Sequence, residues 1–183
     1  MKARFLIAAL VTSASLFSLA GAAEAQSRNR VSVNQAGYAN EVGGRQDGYR
    51  NQMIIDQNGR RMWVSVLQDG TRNGTTVYQE GARNGALVDQ LGNANSAVVG
   101  QNGYNLNATA VQTGHRNESG IAQIGSNNSA LTVQNGSNNM AGVIQVGNGQ
   151  NATVRQSGRG NVTLVIQGAP RECGAFCVQP PSG

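Results

Sequence analysis

The stretch QEGARNGALVDQLGNANSAVVGQNG, from Gln79 to Gly103, contains three glutamines that stand eleven residues apart. Each of these glutamines is followed by a glycine two places later, and the first two also have an asparagine five places later. The same spacing continues in both directions, without insertion or deletion, over most of the chain. The chain is therefore a repeat protein, and the period of the repeat decides the fold.

Three marker residues define the repeat. Glutamine recurs at Gln35, Gln46, Gln57, Gln68, Gln79, Gln90, Gln101, Gln112, Gln123, Gln134, Gln145, Gln156 and Gln167. Glycine follows at Gly37, Gly48, Gly59, Gly70, Gly81, Gly92, Gly103, Gly114, Gly125, Gly136, Gly147 and Gly158. Asparagine stands six places before the glutamine at Asn29, Asn40, Asn51, Asn73, Asn84, Asn95, Asn117, Asn128, Asn139 and Asn161. Met62, Leu106 and Gln150 occupy the other three asparagine positions.

An eleven-residue period has two physical interpretations. A right-handed helical coiled coil has eleven residues in three turns, but the glycine in every repeat costs a helix about 1 kcal/mol. The alternative is one strand and one tight turn per repeat. Positions two and four places after the asparagine, such as Ala86 and Val88, carry no charge, whereas intervening positions hold residues such as Asp89 and Arg155. This period of two indicates strands.

The predicted fold is all-β, a two-sheet parallel β-solenoid in which two half-repeats, about 22 residues, form each rung. Asparagine, the two uncharged residues and glutamine share the inward face of each strand, and the turn glycine supplies a positive φ. Thirteen strands of eleven-residue half-repeats make six and a half rungs, stacked about 4.8 Å apart over roughly 30 Å. The solenoid is predicted to cover residues 29–167.

Inward-facing glutamine and asparagine are costly unless their hydrogen bonds are made. Stacked on an identical residue in the next rung, each amide can donate to its neighbour's carbonyl, as in cross-β fibrils. We therefore predict a structural Gln ladder and a structural Asn ladder, which also fix the register of the strands. The terminal rungs leave such ladders unsatisfied, and there they can template a further copy of the chain.

The two ends of the chain differ from the repeat. Residues 1–25 are interpreted as a signal peptide, with the positive segment MKAR, an apolar run and the cleavage pattern Ala23-Glu24-Ala25; the alternative is a membrane anchor. A short N-terminal segment, 26–28, then leads into the solenoid. The tail, 168–183, contains Cys173 and Cys177, which in an exported protein are expected to form a local disulfide. We also expect this tail to cover the last strand partly and to restrict growth to the other end.

Charge and composition argue against catalysis. The chain has 14 Lys and Arg against 9 Asp and Glu, a net charge of +5, and Arg50, Arg61, Arg72, Arg83 and Arg116 all stand immediately before the asparagine position. They serve either solubility or contact with anionic polysaccharide, lipopolysaccharide or extracellular DNA. His115, the single histidine, is interpreted as a solvated turn residue. No catalytic, metal-binding or cofactor-binding constellation is recognisable in the sequence.

The repeat resembles the curlin repeat of curli, the amyloid fibres on bacterial surfaces. The pattern is carried by Gln123-Ile-Gly125-Ser-Asn-Asn128-Ser-Ala130-Leu-Thr-Val-Gln134, by Gln90-Leu-Gly92-Asn-Ala-Asn95-Ser-Ala97 and by Gln134-Asn-Gly136-Ser-Asn-Asn139-Met-Ala141. The resemblance implies a secreted, non-enzymatic fibre subunit at the cell surface that supports biofilm matrix and adhesion. It also implies another curlin subunit and curli-type export machinery as partners, although only residues 26–28 stand where enteric curlins carry an export signal.

Three functions remain open on the sequence. The regular ladders favour a main fibre subunit, and the positive charge favours a nucleator or minor subunit of the same fibre. A monomeric solenoid that acts as a binding module, for ice or polysaccharide, is the third. Ice binding requires a flat outer row of threonine, but positions 65, 76, 87, 98 and 109 read Ser, Thr, Leu, Val and Thr.

Overall fold

Each eleven-residue repeat folds as one strand and one turn in the computed structural model, which describes residues 5–11 and 28–168. The strands are β1 (Phe5–Val11), β2 (Arg30–Tyr38), β3 (Asn40–Tyr49), β4 (Gln52–Arg60), β5 (Trp63–Thr71), β6 (Gly74–Ala82), β7 (Gly85–Asn93), β8 (Ser96–Tyr104), β9 (Asn107–His115), β10 (Glu118–Ser126), β11 (Ser129–Ser137), β12 (Met140–Asn148), β13 (Asn151–Arg159) and β14 (Val162–Gly168). The thirteen strands from β2 to β14 are the thirteen predicted half-repeats.

Successive strands alternate between two parallel sheets. The odd sheet has the order β1-β3-β5-β7-β9-β11-β13, and the even sheet has the order β2-β4-β6-β8-β10-β12-β14. From β2 onward every neighbouring pair is parallel and offset by two half-repeats, so that Gln46 lies on Gln68 and Gly103 lies on Gly125. The prediction of a two-sheet parallel β-solenoid with two half-repeats per rung is confirmed.

The segment Phe5–Val11 adds a strand that the sequence did not predict. As β1 it pairs antiparallel with β3, from Phe5 opposite Gln46 to Val11 opposite Asn40. It lies on the outer edge of β3, whose backbone N–H and C=O groups would otherwise have no strand partner. In the full-length chain, therefore, part of the predicted signal peptide covers one edge of the solenoid.

The core is a thin apolar layer between the two sheets. It consists of the uncharged residues two and four places after the asparagine position, including Val64, Val66, Ala108 and Ala110, which are all buried. Val31 and Val33 on β2 and Val165 on β14 are only partly buried because those strands end the stack. Alternation of inward and outward side chains thus places a polar ladder on each side of a mainly Val and Ala core.

Every turn between β2 and β14 contains two residues with positive φ. The first is the repeat glycine. Gly103 has a φ of +146°, and a Cβ there would lie 1.8 Å from the carbonyl oxygen of Gly125 in the next rung. The second precedes the asparagine position and is often not glycine, as in Arg83 with a φ of +58°. Glycine is therefore required twice over at the first position, by conformation and by stacking.

Three predictions concern parts of the chain outside the described residues. Signal-peptide cleavage, the Cys173–Cys177 pair and the covering role of the tail all fall there and remain predictions. Between residues 28 and 168 the structure is built from strands and turns, and no helix long and apolar enough to cross a membrane occurs in the described residues.

Candidate assembly site

Inward-facing glutamines form one hydrogen-bonded ladder in each sheet. In the even sheet the bonds join Gln35, Gln57, Gln79, Gln101, Gln123, Gln145 and Gln167, and in the odd sheet they join Gln46, Gln68, Gln90, Gln112, Gln134 and Gln156. Each Nε2 donates to the Oε1 of the glutamine one rung further along, at 2.7 to 2.9 Å. Both ladders therefore point from the N-terminal to the C-terminal end of the solenoid.

The direction of the ladders is set by the backbone. From Gln46 to Gln167, each Nε2 also donates to the carbonyl oxygen of the residue sixteen places earlier, which lies in the opposite sheet, at 2.8 to 3.4 Å. A carbonyl oxygen can only accept, so the amide nitrogen has to face it. Within the ladder a reversed amide would turn its oxygen towards two acceptors and its nitrogen towards a donor, which breaks three bonds. The ladder is consequently polar.

The inward-facing asparagines connect rungs mainly through the backbone. Asn73 donates from Nδ2 to the carbonyl oxygens of Asp69, at the start of its own turn, and Gly92, in the next rung, both at 3.1 Å. Its Oδ1 accepts the backbone N–H of Asn95 at 3.1 Å. We expected amide-to-amide bonds along this ladder. Such bonds occur at Asn117, Asn139 and Asn161, whereas backbone groups of the turn are the main partners elsewhere because the short side chain lies beside them.

The three exceptional positions interrupt the asparagine columns locally. Met62 and Leu106 are buried, and their backbone N–H groups still donate to the Oδ1 of Asn40 and Asn84. Neither side chain can bond the turn of the next rung. At the third position the Oε1 of Gln150 is buried without a hydrogen-bond partner among the described residues. The columns therefore tolerate an apolar residue at a local cost in hydrogen bonds.

The two ends of the solenoid terminate in opposite halves of the ladder, although β1 pairs with β3 beside Gln46 in the full-length chain. At the N-terminal end no described group donates to the Oε1 of Gln35 or Gln46. At the C-terminal end the Nε2 of Gln167 donates only to the carbonyl oxygen of Asn151, at 2.9 Å, which leaves one N–H unused among the described residues. The Nε2 of Gln156 donates to Met140 and Thr163 but has no glutamine above it. One end thus presents acceptors and the other presents donors.

Charged side chains on the outward surface make few contacts with each other among the described residues. Their only ion pair joins Arg45 to Asp47 at 3.3 Å. Groups of three or more His, Cys, Asp or Glu side chains that could hold a metal ion are absent from this part of the chain. The regular feature of the described residues is therefore the stack itself, a two-sheet solenoid with an apolar core between polar ladders.

This combination of repeat and architecture agrees with comparison to known families. The model of the curlin associated repeat matches residues 70–103 and 125–158, both of which lie within the solenoid. The chain therefore contains the curlin associated repeat, and the repeat period continues in the structure on both sides of the matched segments. No curated protein matches the chain at a significant level.

Sequence reasoning placed the marker residues but missed three features of this site. It did not foresee the direction of the Gln ladders, the backbone partners of the asparagines or the left-handed residue before each asparagine. The last had a visible signal. Asn105, Asn127, Asn138, Gly149 and Gly160 occupy that position, and asparagine and glycine are the residues that adopt positive φ most readily.

Proposed function

We propose that this chain is a secreted structural subunit that stacks end to end into extracellular curli-type amyloid fibres. The fibres would serve the biofilm matrix and surface adhesion at the bacterial cell surface. The observation that carries the proposal is the complementarity of the ends. The Nε2 of Gln167 has one N–H without a partner among the described residues, and the Nε2 of Gln156 has no glutamine above it. At the other end no described group donates to the Oε1 of Gln35 or Gln46. Head-to-tail stacking joins these donors to these acceptors, whereas head-to-head stacking opposes acceptor to acceptor.

The odd number of parallel strands determines how two copies would meet. The stack begins with β2 in the even sheet and also ends with β14 in the even sheet. A second copy in the same orientation would place β2 on β14 and leave a strand-sized gap above β13. Rotation of the second copy by about half a turn around the fibre axis places its β2 on β13 and its β3 on β14. The alternation of sheets then continues without a gap, and Gln156 meets Gln35 while Gln167 meets Gln46.

This geometry gives the fibre a defined helical symmetry. Thirteen strands are six and a half rungs, so each subunit advances about 31 Å at a rung spacing of about 4.8 Å. Successive subunits are related by a rotation of about half a turn, to which the twist of the sheets adds. The structural repeat along one side of the fibre is therefore about 62 Å, two subunits at the same spacing.

Cryo-electron microscopy of fibres grown from residues 26–183 tests the proposal. We expect a rise of about 31 Å per subunit with an azimuthal step of about half a turn. The matched variant lacks residues 106–116, one complete half-repeat, and so has an even number of strands. Its expected rise is about 29 Å, with an azimuthal step near zero. A step near zero for both proteins would disprove the half-turn, and the absence of fibres at any concentration would disprove self-assembly.

A nucleator of the same fibre is the second candidate, because positive charge is concentrated at the turns of the N-terminal half. Removal of denaturant from the purified protein, followed by thioflavin fluorescence over time, separates the two roles. A main subunit assembles after a lag and gives a meridional reflection near about 4.7 Å. A nucleator assembles without a lag and abolishes the lag of a second curlin when added in trace amounts. A soluble folded monomer at high concentration would instead favour a binding module.

A further inference from the structure

One edge of the solenoid contains a basic groove that fibre assembly does not use. It has a volume of about 310 Å³ and is lined by Tyr38, Arg60, Arg61, Ala82, Arg83 and Tyr104. Tyr38, Arg60, Ala82 and Tyr104 end β2, β4, β6 and β8, and Arg61 and Arg83 lie in the turns that follow β4 and β6. The groove lies within a single copy and on the side of the stack, so it stays accessible when the ends are covered by other copies.

Two columns of turn residues build this groove. Tyr38, Arg60, Ala82 and Tyr104 lie one above another in successive rungs. The small side chain of Ala82 leaves the gap in this column, and the tyrosines bound it about 14 Å apart, three rung spacings. Arg61 and Arg83 are neighbours in the adjoining column, where the backbone N–H of Arg83 donates to the carbonyl of Arg60 at 3.0 Å. Three arginines therefore line one gap.

Among the described residues, no carboxylate lines the groove. The nearest acidic residue in the same strand as Ala82 is Glu80, which is held by the Nδ2 of Asn102 at 3.2 Å. Arg60, Arg61 and Arg83 are all exposed and form no ion pair within the described residues. Like charges one rung apart repel each other, so an anion that enters the gap relieves this repulsion while it accepts hydrogen bonds.

The two tyrosines make the two ends of the groove different. The guanidinium carbon of Arg83 lies 5.3 Å from the centroid of the Tyr104 ring, and its Nη1 hydrogen-bonds the Tyr104 hydroxyl. Tyr104 therefore positions Arg83 and has one face already covered. Tyr38 is 59% exposed and leaves its ring free at the other end. The gap thus offers one flat apolar wall, a small apolar floor at Ala82 and three cations, of which Arg83 is held by Tyr104.

We propose that this groove binds an acidic polysaccharide whose sugars carry carboxylates. Guanidinium groups match carboxylates in bidentate geometry, and the C–H face of a sugar ring packs against an aromatic ring and a small apolar floor. The length of the groove fits a short run of sugar rings along the fibre edge. Single-stranded nucleic acid is held by a series of free rings, about one for each base, and the groove provides only Tyr38.

Fluorescence anisotropy with a labelled oligogalacturonate, in buffer of physiological ionic strength, tests this site. The test variant combines Arg60→Ser, Arg61→Asn and Arg83→Asn. The same columns contain Ser126, Asn105 and Asn127 at equivalent places, so the fold tolerates these residues. The matched control combines Arg50→Asn, Arg72→Asn and Arg116→Asn in the corresponding column of the opposite edge, which also holds Asn138. Both variants lose three positive charges.

We expect the test variant to bind at least about tenfold more weakly than the unmodified chain, since it loses several charge-assisted hydrogen bonds. The control should remain within about threefold. Circular dichroism of both variants verifies the fold, and a neutral dextran should not bind the unmodified chain. An equal loss in both variants would show that net charge alone attracts the glycan and would overturn the site. Tighter binding of an oligodeoxynucleotide through the same arginines, or no binding of oligogalacturonate, would overturn the proposed partner.

Discussion

Replacement of Gln112 by leucine tests whether the Gln ladder stabilises the fold. Gln112 is fully buried, accepts the Nε2 of Gln90 at 2.8 Å, and donates to Gln134 and to the carbonyl of Ser96, both at 2.9 Å. Leucine has a similar volume but makes none of these bonds. The buried amides of Gln90 and Gln134 and the partly buried carbonyl of Ser96 each lose a bond, at about 1–3 kcal/mol each. The apolar side chain returns part of this through burial, so we expect a net loss of about 3–6 kcal/mol.

Urea unfolding followed by circular dichroism at low concentration, before fibres form, measures this loss. Thr113→Leu is the matched control because it introduces the same side chain at the next residue, which is exposed on the outer face of β9. The control should change the free energy of unfolding by less than about 0.5 kcal/mol. Equal stability of Gln112→Leu and the unmodified chain would show that stacked amides contribute nothing net and that the Val and Ala core alone holds the rungs together.

Three further predictions concern the turns, the ends and the leader. Gly114→Ala should prevent the rungs from stacking, because the residue has a φ of +118° and a Cβ there would lie 1.9 Å from the carbonyl oxygen of Gly136. The control Gly120→Ala, whose Cβ meets nothing within 4 Å, should leave the urea midpoint unchanged or raise it. Equal effects of the two substitutions would contradict the stacking constraint. Gln167→Leu should slow fibre elongation severalfold, while the free energy of unfolding of the monomer falls by at most about 1 kcal/mol. Seeded growth as fast as that of the unmodified chain would show that the ladder ends do not template the next copy. The chain that retains residues 1–25 should elongate more slowly than residues 26–183, since β1 covers the edge of β3; equal rates in seeded assays would show that the leader does not block this edge.

Most of the fold was predictable from the sequence because the repeat is regular at two levels. The period of eleven determines where glutamine and glycine recur, and the period of two within it determines which residues face inward. Both signals are local, and parallel in-register stacking then follows from the rule that like residues stack on like. β1 was not predictable in this way because Phe5–Val11 shares no repeat residue with its partner strand and pairs in the opposite direction.

The candidate assembly site was predictable in composition but not in direction. Identical side chains in a column leave the amide orientation undecided, and only the contact of each Nε2 with a carbonyl of the opposite sheet settles it. That contact joins residues sixteen places apart, a separation that no repeat marker reveals. The basic groove was hidden for a similar reason. Its arginines are visible in the sequence, but the gap depends on Ala82, which matters only because Arg60 and Tyr104 lie directly above and below it.

The residues with positive φ in one column of turns differ between the later and the earlier rungs. Asn105, Asn127 and Gly149 occupy the later rungs of one column, where Arg61 and Arg83 occupy the earlier rungs, and all have positive φ. An ordinary L-residue in this conformation costs roughly 1–2 kcal/mol, which asparagine and glycine largely avoid. The arginines are therefore not the residues that the turn itself favours.

This contrast leads to a prediction that joins stability to binding. The double variant Arg61→Asn, Arg83→Asn should raise the free energy of unfolding by about 1 kcal/mol or more, because two strained turns relax, while its affinity for oligogalacturonate falls. Urea unfolding and fluorescence anisotropy on the same preparations measure both changes, and Arg50→Asn, Arg72→Asn should raise stability equally without loss of binding. A double variant that is more stable and binds oligogalacturonate as well as the unmodified chain would mean that these arginines serve solubility. The backbone strain at Arg61 and Arg83 would then not be offset by binding in the groove.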